Sequence, residues 1–380
     1  MSDRLWDISL DLHAHPELSH QEHRAADLLC NVLTGAGFQV DRQVAGLETA
    51  FVGQLGDGRR PTVALLLEYD ALPGLGHACG HNLIAGAGLG AALALRELVE
   101  DTGGTLLVVG APAEEDGGGK IAEVAAGVFD AVDAALMFHP GVHNWSWAPL
   151  TALQEIQVSF HGRAAHPTGN PDEGVDALEA LIQLFHRLGA LSRDLPTGSH
   201  VQGIVTDGGE ATNIIPAHAQ GRFCLRAATT SALADLLEEV TGMAKEVARD
   251  YGPRVTIGLE GELYSHFRNN SVLSGLFSKH MGRLGITVTE PSPDVHLGSS
   301  DIGNVSTRVP TIHPFVQILP SHHSDHTVQF AAAAGDERGR AAMLAAAEAL
   351  ACTAYDVLSD PGIAHQGWMA FRDQLMADTA

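Results

Sequence analysis

The first part of the chain alternates short apolar runs with stretches of helical spacing. Three runs are short and apolar enough to be buried strands, at residues 62–67, 105–109 and 134–138. The spacing of apolar residues predicts helices at residues 10–37, 82–99 and 121–128. Buried strands that alternate with helices are typical of a mostly parallel sheet with helices on both faces. This part of the chain is therefore predicted to be an α/β domain.

The middle of the chain has a different pattern. Residues 153–160 alternate between apolar and polar side chains, as in a strand with one solvated face. A helix, two strands, a helix and a strand are predicted next, at residues 174–191, 201–205, 220–225, 233–249 and 255–259. This βαββαβ order is that of a ferredoxin-like domain. We expect an inserted domain at residues 151–262, and a discontinuous α/β domain at residues 1–150 and 263–380 that ends in an Ala-rich helix over 338–358.

Length and charge narrow the possible functions. A chain of 380 residues is expected to form two domains, because a single core usually stops growing at about 250–300 residues. The 46 acidic and 22 basic residues give a net charge of −24, which argues against binding nucleic acid or an anionic membrane. The N-terminal segment MSDRLWDISL lacks a cationic start followed by an apolar run, so we expect no signal peptide and a cytoplasmic location.

Polar side chains that can bind a metal follow all three predicted strands of the first domain. They are Glu68, Asp70, Cys79 and His81 after the first strand, Glu114 and Glu115 after the second, and His139 after the third. Because ligands gather at the carboxyl ends of parallel strands, we expect these side chains to converge. Thiolate, imidazole and carboxylate groups suit Zn²⁺. The sequence therefore predicts a transition-metal site that includes Cys79, His81, Glu115 and His139.

The adjacent pair Glu114–Glu115 has two interpretations. Neighbouring residues of an extended chain point to opposite sides, so Glu115 can bind metal while Glu114 faces a water as general base. The alternative is a solvated acidic turn, because Asp116 and three glycines follow the pair. The apolar strand before the pair and the nearby histidine and cysteine residues favour the catalytic interpretation.

The chain resembles a known family of metallopeptidases. The resemblance rests on the segments EYDALPGLGHACGHN, APAEEDGGGK, MFHP, FHGRAAHP and TNIIPAHAQGRFCLRA. They are similar to the aminoacylase/carboxypeptidase-type enzymes of peptidase family M20. Within that family they most resemble the amidohydrolase branch, with its aminobenzoyl-glutamate hydrolases and its Xaa-Arg or β-alanyl-lysine dipeptidases. The resemblance runs from the segment DLHAHPELS to the C-terminal helix, and it implies a zinc-peptidase-like catalytic domain with an inserted ferredoxin-like domain.

The resemblance implies an activity and a set of site residues. The activity is hydrolysis of the amide bond of N-acyl amino acids or dipeptides by metal-activated water, with two divalent ions bound. The implied metal ligands are Cys79, His81, Glu115, His139 and His326. His326 is preferred to His322 or His323 because the family has a histidine directly before Thr or Pro. Glu114 matches the general base, and Asp70 matches the carboxylate that orients a metal ligand.

One segment departs from the carboxypeptidase pattern of the family. That pattern has a His-x-Asp sequence whose histidine binds metal, whereas this chain has Glu68-Tyr69-Asp70. The pair Cys79 and His81 is the replacement, as in the amidohydrolase branch. Cys79 is therefore expected to be a ligand and not a nucleophile. A thiolate ligand favours Zn²⁺, with Mn²⁺ and Co²⁺ as the alternatives in related enzymes.

The inserted domain carries further residues that the resemblance implies for the site. His166 matches a histidine that reaches across a dimer interface to the substrate carbonyl, where it would stabilise an oxyanion. Asn213 and Arg226 match groups near the carboxylate or carbonyl of the substrate. The expected partners are thus a small-molecule substrate and a second copy of the chain, bound through the inserted domain.

Two other classes of function are alternatives to a metal-dependent hydrolase. A catalytically inactive, metal-containing homologue that binds peptides or acts as a scaffold is the first, and the intact Glu114 argues against it. A nucleotide-dependent oxidoreductase is the second, but the glycines of residues 86–90 lack the full GxGxxG spacing and a strand before them.

The sequence does not identify the substrate of the hydrolase. A negative protein field favours an acyl amino acid or dipeptide whose end is basic or neutral.

Overall fold

The computed structural model describes residues 1–378, which form two compact units. The first unit comprises Met1–Pro149, Phe267–Pro293 and the chain from Ser300 onward. The second comprises Leu150–His266 and the short segment Asp294–Ser299. From the sequence, this short segment is predicted to belong to the catalytic domain. It lies with the second unit because the backbone N–H of Thr151 donates to the carbonyl of Gly298 at 3.0 Å.

The strands and helices follow one another through both units. The strands are β1 (Gln39–Arg42), β2 (Phe51–Leu55), β3 (Thr62–Leu67), β4 (Thr105–Gly110), β5 (Ala134–Leu136), β6 (His139–Gly141), β7 (Ala152–His161), β8 (His200–Asp207), β9 (His218–Ala227), β10 (Arg254–Tyr264), β11 (Thr311–Ile312) and β12 (Phe315–Gln317). The helices are α1 (Ser2–Ala14), α2 (His23–Gly35), α3 (His81–Leu95), α4 (Val99–Thr102), α5 (Gly119–Ala125), α6 (Ala177–Leu191), α7 (Thr230–Tyr251), α8 (Ser271–Arg283), α9 (Ile302–Ser306), α10 (Val328–Ala334), α11 (Glu337–Ser359) and α12 (Pro361–Asp378).

The first unit is built on a six-stranded sheet in the order β1-β2-β4-β3-β5-β11. Strands β4, β3, β5 and β11 are parallel to one another, whereas β2 is antiparallel to both β4 and the edge strand β1. Every residue of β3 and β4 is buried, as expected for central strands covered on both faces. The α/β class and the mostly parallel sheet are confirmed. The carboxyl ends of β3, β4 and β5 therefore meet at one edge.

The helix prediction is wrong near the N-terminus, whereas at the C-terminus the predicted helix over 338–358 is confirmed as α11 but is not the last helix. One helix was expected over residues 10–37, but the structure has two, α1 and α2. The break follows from Pro16, which disfavours helical backbone at His15, and from His20, whose φ is +64°. At the other end α12 follows α11 as a separate helix that begins at Pro361, a residue suited to the first helical turn.

Helix α3 is buried along almost its whole length. Its glycines allow this close packing, because a Cβ at Gly88 would lie 2.6 Å from Leu67 and one at Gly90 would lie 2.9 Å from Leu5. Helix α11 packs against α3. By length and composition alone α11 could cross a membrane, and 56% of its apolar window is buried within the structure. Helix α3 also packs against β3.

The second unit is a four-stranded antiparallel sheet in the order β10-β7-β9-β8. Its elements follow one another as β7-α6-β8-β9-α7-β10, which is the predicted βαββαβ order. Alternate residues of β7, including Ile156, Val158 and Phe160, join side chains of α6 and α7 in one core. The other face of the sheet is largely polar, and β8 and β10 are its edge strands.

Candidate metal centre

The segment between β3 and α3 supplies the first part of the site. The chain leaves β3 at Glu68 and enters α3 at His81, the first residue of that helix. Gly80 precedes it with φ of +79°, in the left-handed region where glycine is favoured. A Cβ on Gly80 would lie 2.5 Å from Pro140, so glycine is also required for space. The turn therefore places Cys79 and His81 beside the end of β5.

His81 is held by Asp70 so that one ring nitrogen is left for a metal. Its Nδ1 lies 2.9 Å from Asp70 Oδ1 and 3.0 Å from the Asp70 carbonyl oxygen. Both oxygens can only accept at neutral pH, so Nδ1 carries a proton, and in the neutral ring that binds metal Nε2 presents the lone pair. Nε2 is buried and has no hydrogen-bond partner among the described residues. Such an orphaned nitrogen fits a metal ligand.

Asp70 is ionised and fully engaged. Its Oδ2 accepts hydrogen bonds from Ser19 Oγ at 2.8 Å and from the backbone N–H of Glu115 at 3.0 Å. Burial raises the pKa of Asp70, but His81 and these hydrogen bonds lower it by more, so that the pKa is about 2. The Glu115 bond also ties the β4 end of the site to the β3 end. This agrees with the orienting role expected of Asp70.

His139 and Cys79 meet on the other side of His81. The Nδ1 of His139 lies 2.6 Å from the carbonyl oxygen of Pro140, so Nδ1 carries the proton and Nε2 is the acceptor nitrogen. That Nε2 lies 3.4 Å from Cys79 Sγ. Burial raises the pKa of the Cys79 thiol well above its usual range. A divalent cation at this position would instead favour the thiolate.

Glu114 and Glu115 follow β4 in a turn, and the prediction that they point to opposite sides is wrong. Ala113 has φ of +58° and turns the chain out of the extended conformation. As a result both carboxylates approach His81 Nε2, each at 3.9 Å. Their side chains are 12% and 9% exposed, which excludes the solvated-turn interpretation. Both carboxylates therefore belong to one largely buried cluster around His81.

The carboxylates of this turn are destabilised as anions when no cation is present. Burial raises the pKa of Glu115, and burial together with Glu68 and Asp301 raises the pKa of Glu114 well above its usual range. A buried anion that is surrounded by other anions is stabilised by a cation. The electrostatics of the turn therefore favour binding of a positive ion.

The C-terminal part of the first unit brings His326 to the cluster. The backbone N–H of His326 donates to the carbonyl of Ala78 at 2.9 Å, and its φ of +54° turns the side chain at the end of the loop. Its Nε2 lies 3.6 Å from Glu115 Oε2. His322 and His323 contact each other, with ring centroids 4.3 Å apart, and neither joins a metal-ligand group within residues 1–378. The geometry thus brings in His326 and leaves out the two alternatives.

The donor atoms form overlapping groups in which all members lie within 4.8 Å of one another. The groups are Cys79, His81 and His139; Cys79, Asp325 and His326; His81, Glu114 and Glu115; and Glu68, Glu114 and Asp301. The first three share Cys79 or His81, so they describe one site with more donors than a single tetrahedral ion uses. The side chains present fit divalent metal ions with nitrogen, sulfur and oxygen ligands.

Lys120 and Asp301 lie in the site although the sequence analysis does not assign them. Lys120 Nζ lies 2.5 Å from Glu68 Oε1 and 2.5 Å from Asp301 Oδ1, and all three side chains are buried. Burial lowers the pKa of Lys120, but Asp301 and Glu68 raise it well above its usual range. The signal in the sequence is the lysine that ends EEDGGGK, a cation placed six residues after Glu114.

The three predicted residues of the inserted domain lie in the second unit. His166 Nδ1 accepts from the backbone N–H groups of Thr168 at 3.1 Å and Gly169 at 2.9 Å. Its Nε2 therefore carries the proton and is a hydrogen-bond donor on an exposed side chain. Arg226 Nη1 donates to Ser299 Oγ at 2.7 Å, and Asn213 is exposed in a turn. The roles of these residues in binding substrate stay predictions.

Comparisons with known proteins place the chain in a family. The family described as "Peptidase dimerisation domain" matches residues 152–252. Over 380 aligned residues the chain is 36% identical to the Xaa-Arg dipeptidase of Mus musculus, covering 95% of this chain and 87% of that protein. The chain belongs to peptidase family M20. It is also 29% identical to a p-aminobenzoyl-glutamate hydrolase subunit of Escherichia coli strain K12, covering 96% of this chain and 89% of that protein.

Solved structures of M20 relatives show the same fold. A putative aminohydrolase from methicillin-resistant Staphylococcus aureus has a TM-score of 0.81 at 22% identity, covering 94% of this chain and 97% of that chain. A dinuclear metal-binding peptidase of the M20 family from Bacillus subtilis has a TM-score of 0.75 at 22% identity, covering 94% and 98%. The relatives named here all carry names of hydrolases, which leaves the inactive alternative without support.

Proposed function

We propose that this M20 protein is a metal-dependent hydrolase that cleaves the amide bond of N-acyl amino acids or dipeptides. The observation that carries the proposal is the position of Glu114. Its carboxylate belongs to a side chain that is 12% exposed and lies 3.9 Å from Nε2 of His81, beside the thiol, imidazole and carboxylate donors of the other groups. A general base next to a set of metal ligands is the arrangement that amide hydrolysis by activated water requires.

Two divalent ions, with Zn²⁺ as the best match to the thiolate and imidazole donors, would be held by five side chains. These are Cys79, His81, Glu115, His139 and His326. When bound, the ions would supply a water of lowered pKa and a Lewis acid for the amide carbonyl. Asp70 fixes the tautomer of His81 through the 2.9 Å bond to Nδ1, so that Nε2 faces the ions.

Glu114 is the proton carrier of the proposed reaction. Its carboxylate accepts the proton of the attacking water and delivers it to the nitrogen of the leaving amine. The bond between that nitrogen and the carbonyl carbon breaks, and the products are a free amine and a carboxylic acid. In the metal-free protein, burial and the nearby Glu68 and Asp301 raise the pKa of Glu114, and bound cations would favour the ionised form that acts as the base.

The inserted domain would complete the site in a homodimer. His166 presents a proton on Nε2 because its Nδ1 accepts two backbone N–H groups, and this donor suits the oxyanion of an amide in hydrolysis. Arg226 suits a substrate carboxylate, and Asn213 a carboxylate or carbonyl. The match of residues 152–252 to a dimerisation domain supports assembly through this domain.

The substrate is proposed to have a basic or neutral C-terminal side. A net charge of −24 attracts cations more than anions. The relatives of Mus musculus and Homo sapiens that are 36% and 34% identical to this chain are named Xaa-Arg dipeptidases. Dipeptides that end in arginine or lysine are therefore the first substrates to examine, followed by N-acyl amino acids.

A hydrolysis screen tests the proposed function. The metal-free protein is supplemented with Zn²⁺, Mn²⁺ or Co²⁺ and incubated with dipeptides and N-acyl amino acids, and release of the free amine is measured. We expect release that requires added metal and is greater for a dipeptide with a basic C-terminal residue than for one with an acidic residue. Absence of amine release from every compound with every metal would refute the proposal.

A further inference from the structure

Lys120 lies at the centre of a buried ionic cluster beside the metal donors. Its Nζ contacts Glu68 Oε1 and Asp301 Oδ1, each at 2.5 Å, and its backbone N–H donates to Asp301 Oδ2 at 2.9 Å. The Lys120 and Asp301 side chains are 0% exposed and that of Glu68 is 1% exposed. A buried ammonium needs anionic partners to remain charged, and Lys120 has two.

Glu68 is close enough to compete for a metal on His81. Its Oε2 lies 3.6 Å from His81 Nε2, nearer than the closest oxygens of Glu114 and Glu115, at 3.9 Å each. The same carboxylate gives its other oxygen to Lys120. Glu68 is thus a potential metal ligand whose second oxygen is already bound by an internal cation.

The neighbouring oxygens would form a second cation pocket if Lys120 were absent. Carboxylate oxygens of Glu68, Glu114 and Asp301 lie within 4.8 Å of one another. Three carboxylates at this spacing suit a divalent cation. An ion bound there would take Glu114 as a ligand, and a carboxylate bound to a cation cannot serve as a general base.

We propose that Lys120 is a positioning residue that withholds Glu68 and Asp301 from the metal site and so keeps Glu114 free. The ammonium is a permanent cation between the two carboxylates. It confines exchangeable metal ions to the donors on the side of Cys79, His139 and His326. This inference rests on the proposed function only in that Glu114 is the base, because the binding of metal can be measured without any substrate.

The inference makes opposite predictions for substitutions of the two partners in the ion pair. In Glu68→Gln the pair of Lys120 with Asp301 remains, and zinc binding is expected to equal that of the wild type because Glu68 is not a ligand. In Lys120→Met the carboxylates are released, and the protein is expected to bind one more zinc ion per chain. The kcat of this variant is expected to fall about 10²–10⁴-fold, as for loss of the general base, because the extra ion would bind Glu114.

In the double variant Glu68→Gln/Lys120→Met, the cluster has the same net charge as in the wild type. The variant also lacks the Glu68 carboxylate, which would otherwise compete for a metal ion at His81. Its zinc stoichiometry is expected to return to the wild-type value. An exposed lysine of the same unit provides the matched control, since Lys279→Met should leave both zinc binding and kcat unchanged. A loss of stability alone cannot produce a gain of zinc in one variant and its reversal in another.

The experiment measures bound zinc and zinc affinity of the full chain, by competition with a chromophoric chelator and by elemental analysis after gel filtration. An extra zinc ion in K120M, lost again in the double variant, supports the inference. Wild-type zinc stoichiometry and affinity in folded K120M would overturn it, as would zinc binding by E68Q that is about tenfold weaker than in the wild type. If K120M does not fold, the E68Q result alone decides.

If the wild type and its variants show the predicted zinc stoichiometries but the wild type hydrolyses no amide, the proposed function is refuted and this inference stands.

Discussion

Asp70 and His81 form a 2.9 Å hydrogen bond from the Nδ1 of the imidazole to the carboxylate, and this bond decides which nitrogen faces the metal donors. The two residues are 11 positions apart, one after β3 and one at the start of α3. Asp70 also receives the backbone N–H of Glu115. A single carboxylate therefore sets the positions of two of the proposed ligands.

Replacement of Asp70 by asparagine is predicted to weaken metal binding. The amide can still accept from His81 Nδ1, but it lacks the negative charge that increases the basicity of Nε2. Loss of such an outer partner typically lowers metal affinity or activity by about 10–100-fold. Zinc affinity and kcat measured on Asp70→Asn check this. Ser19→Ala removes only one of the bonds to Asp70 and serves as a control with a smaller expected effect. Unchanged zinc affinity in Asp70→Asn would contradict the orienting role.

Cys79 is predicted to bind metal as a thiolate. Cobalt(II) bound to the protein should then show a thiolate-to-metal absorption band, and Cys79→Ser should remove that band and weaken metal binding. Cys352→Ser is the matched control, because Cys352 lies on α11 and belongs to no metal-ligand group of the described chain. A cobalt spectrum that is the same in Cys79→Ser and the wild type would show that the thiol is not a ligand.

His77 is predicted to make the metal-free protein less stable in acid. Burial lowers the pKa of His77 from 6.5 to about 3, with His81 and His13 as further causes. The unfolded chain therefore binds a proton below pH 6.5 that the folded chain does not bind until about pH 3. The contribution of His77 to the free energy of unfolding should therefore decrease as the pH falls between these two values, by up to about 1.4 kcal/mol per pH unit.

Urea unfolding of the metal-free protein at pH 7 and pH 5 measures this loss. His77→Gln cannot be protonated, so it should lose less stability between the two pH values than the wild type does. Using metal-free protein in both cases separates this effect from the release of metal in acid. The same loss in the variant and in the wild type would mean that His77 does not contribute.

His166 is predicted to contribute to kcat and not to metal binding. Its protonated Nε2 is a donor suited to an oxyanion, and removal of one such donor typically lowers kcat about 10²–10³-fold. His166→Ala should show this loss with the zinc content of the wild type. His186→Ala, at an exposed histidine of the same unit on α6, should retain full activity. An unchanged kcat in His166→Ala would remove it from the site.

The sequence predicts the parts of the fold that local pattern determines. The bounds of β3 are as predicted, because Thr62–Leu67 is a continuous apolar run between polar segments. The βαββαβ order of the second unit is also predicted, since its strands alternate and its helices have clear apolar faces. The prediction of a single helix over residues 10–37 is wrong, because the spacing of apolar residues continues across Pro16, where helical backbone is disfavoured.

The site is predicted where its residues follow strands, and missed where contacts join distant segments. Cys79, His81 and His139 come together because the ends of β3 and β5 lie side by side. Lys120 and Asp301 are 181 residues apart, and no local pattern pairs them. The opposed side chains expected for Glu114 and Glu115 required an extended chain, but Ala113 has a positive φ that only the tertiary structure shows.

The central claim is that Glu114 moves the proton in a reaction that the neighbouring metal ligands support. Glu114→Gln keeps the shape of the side chain and removes its basicity. We predict that this variant retains the zinc content of the wild type while kcat for amide hydrolysis falls about 10²–10⁴-fold, and that Glu100→Gln, at an exposed glutamate of α4, changes neither. Wild-type turnover in zinc-loaded Glu114→Gln would contradict the account.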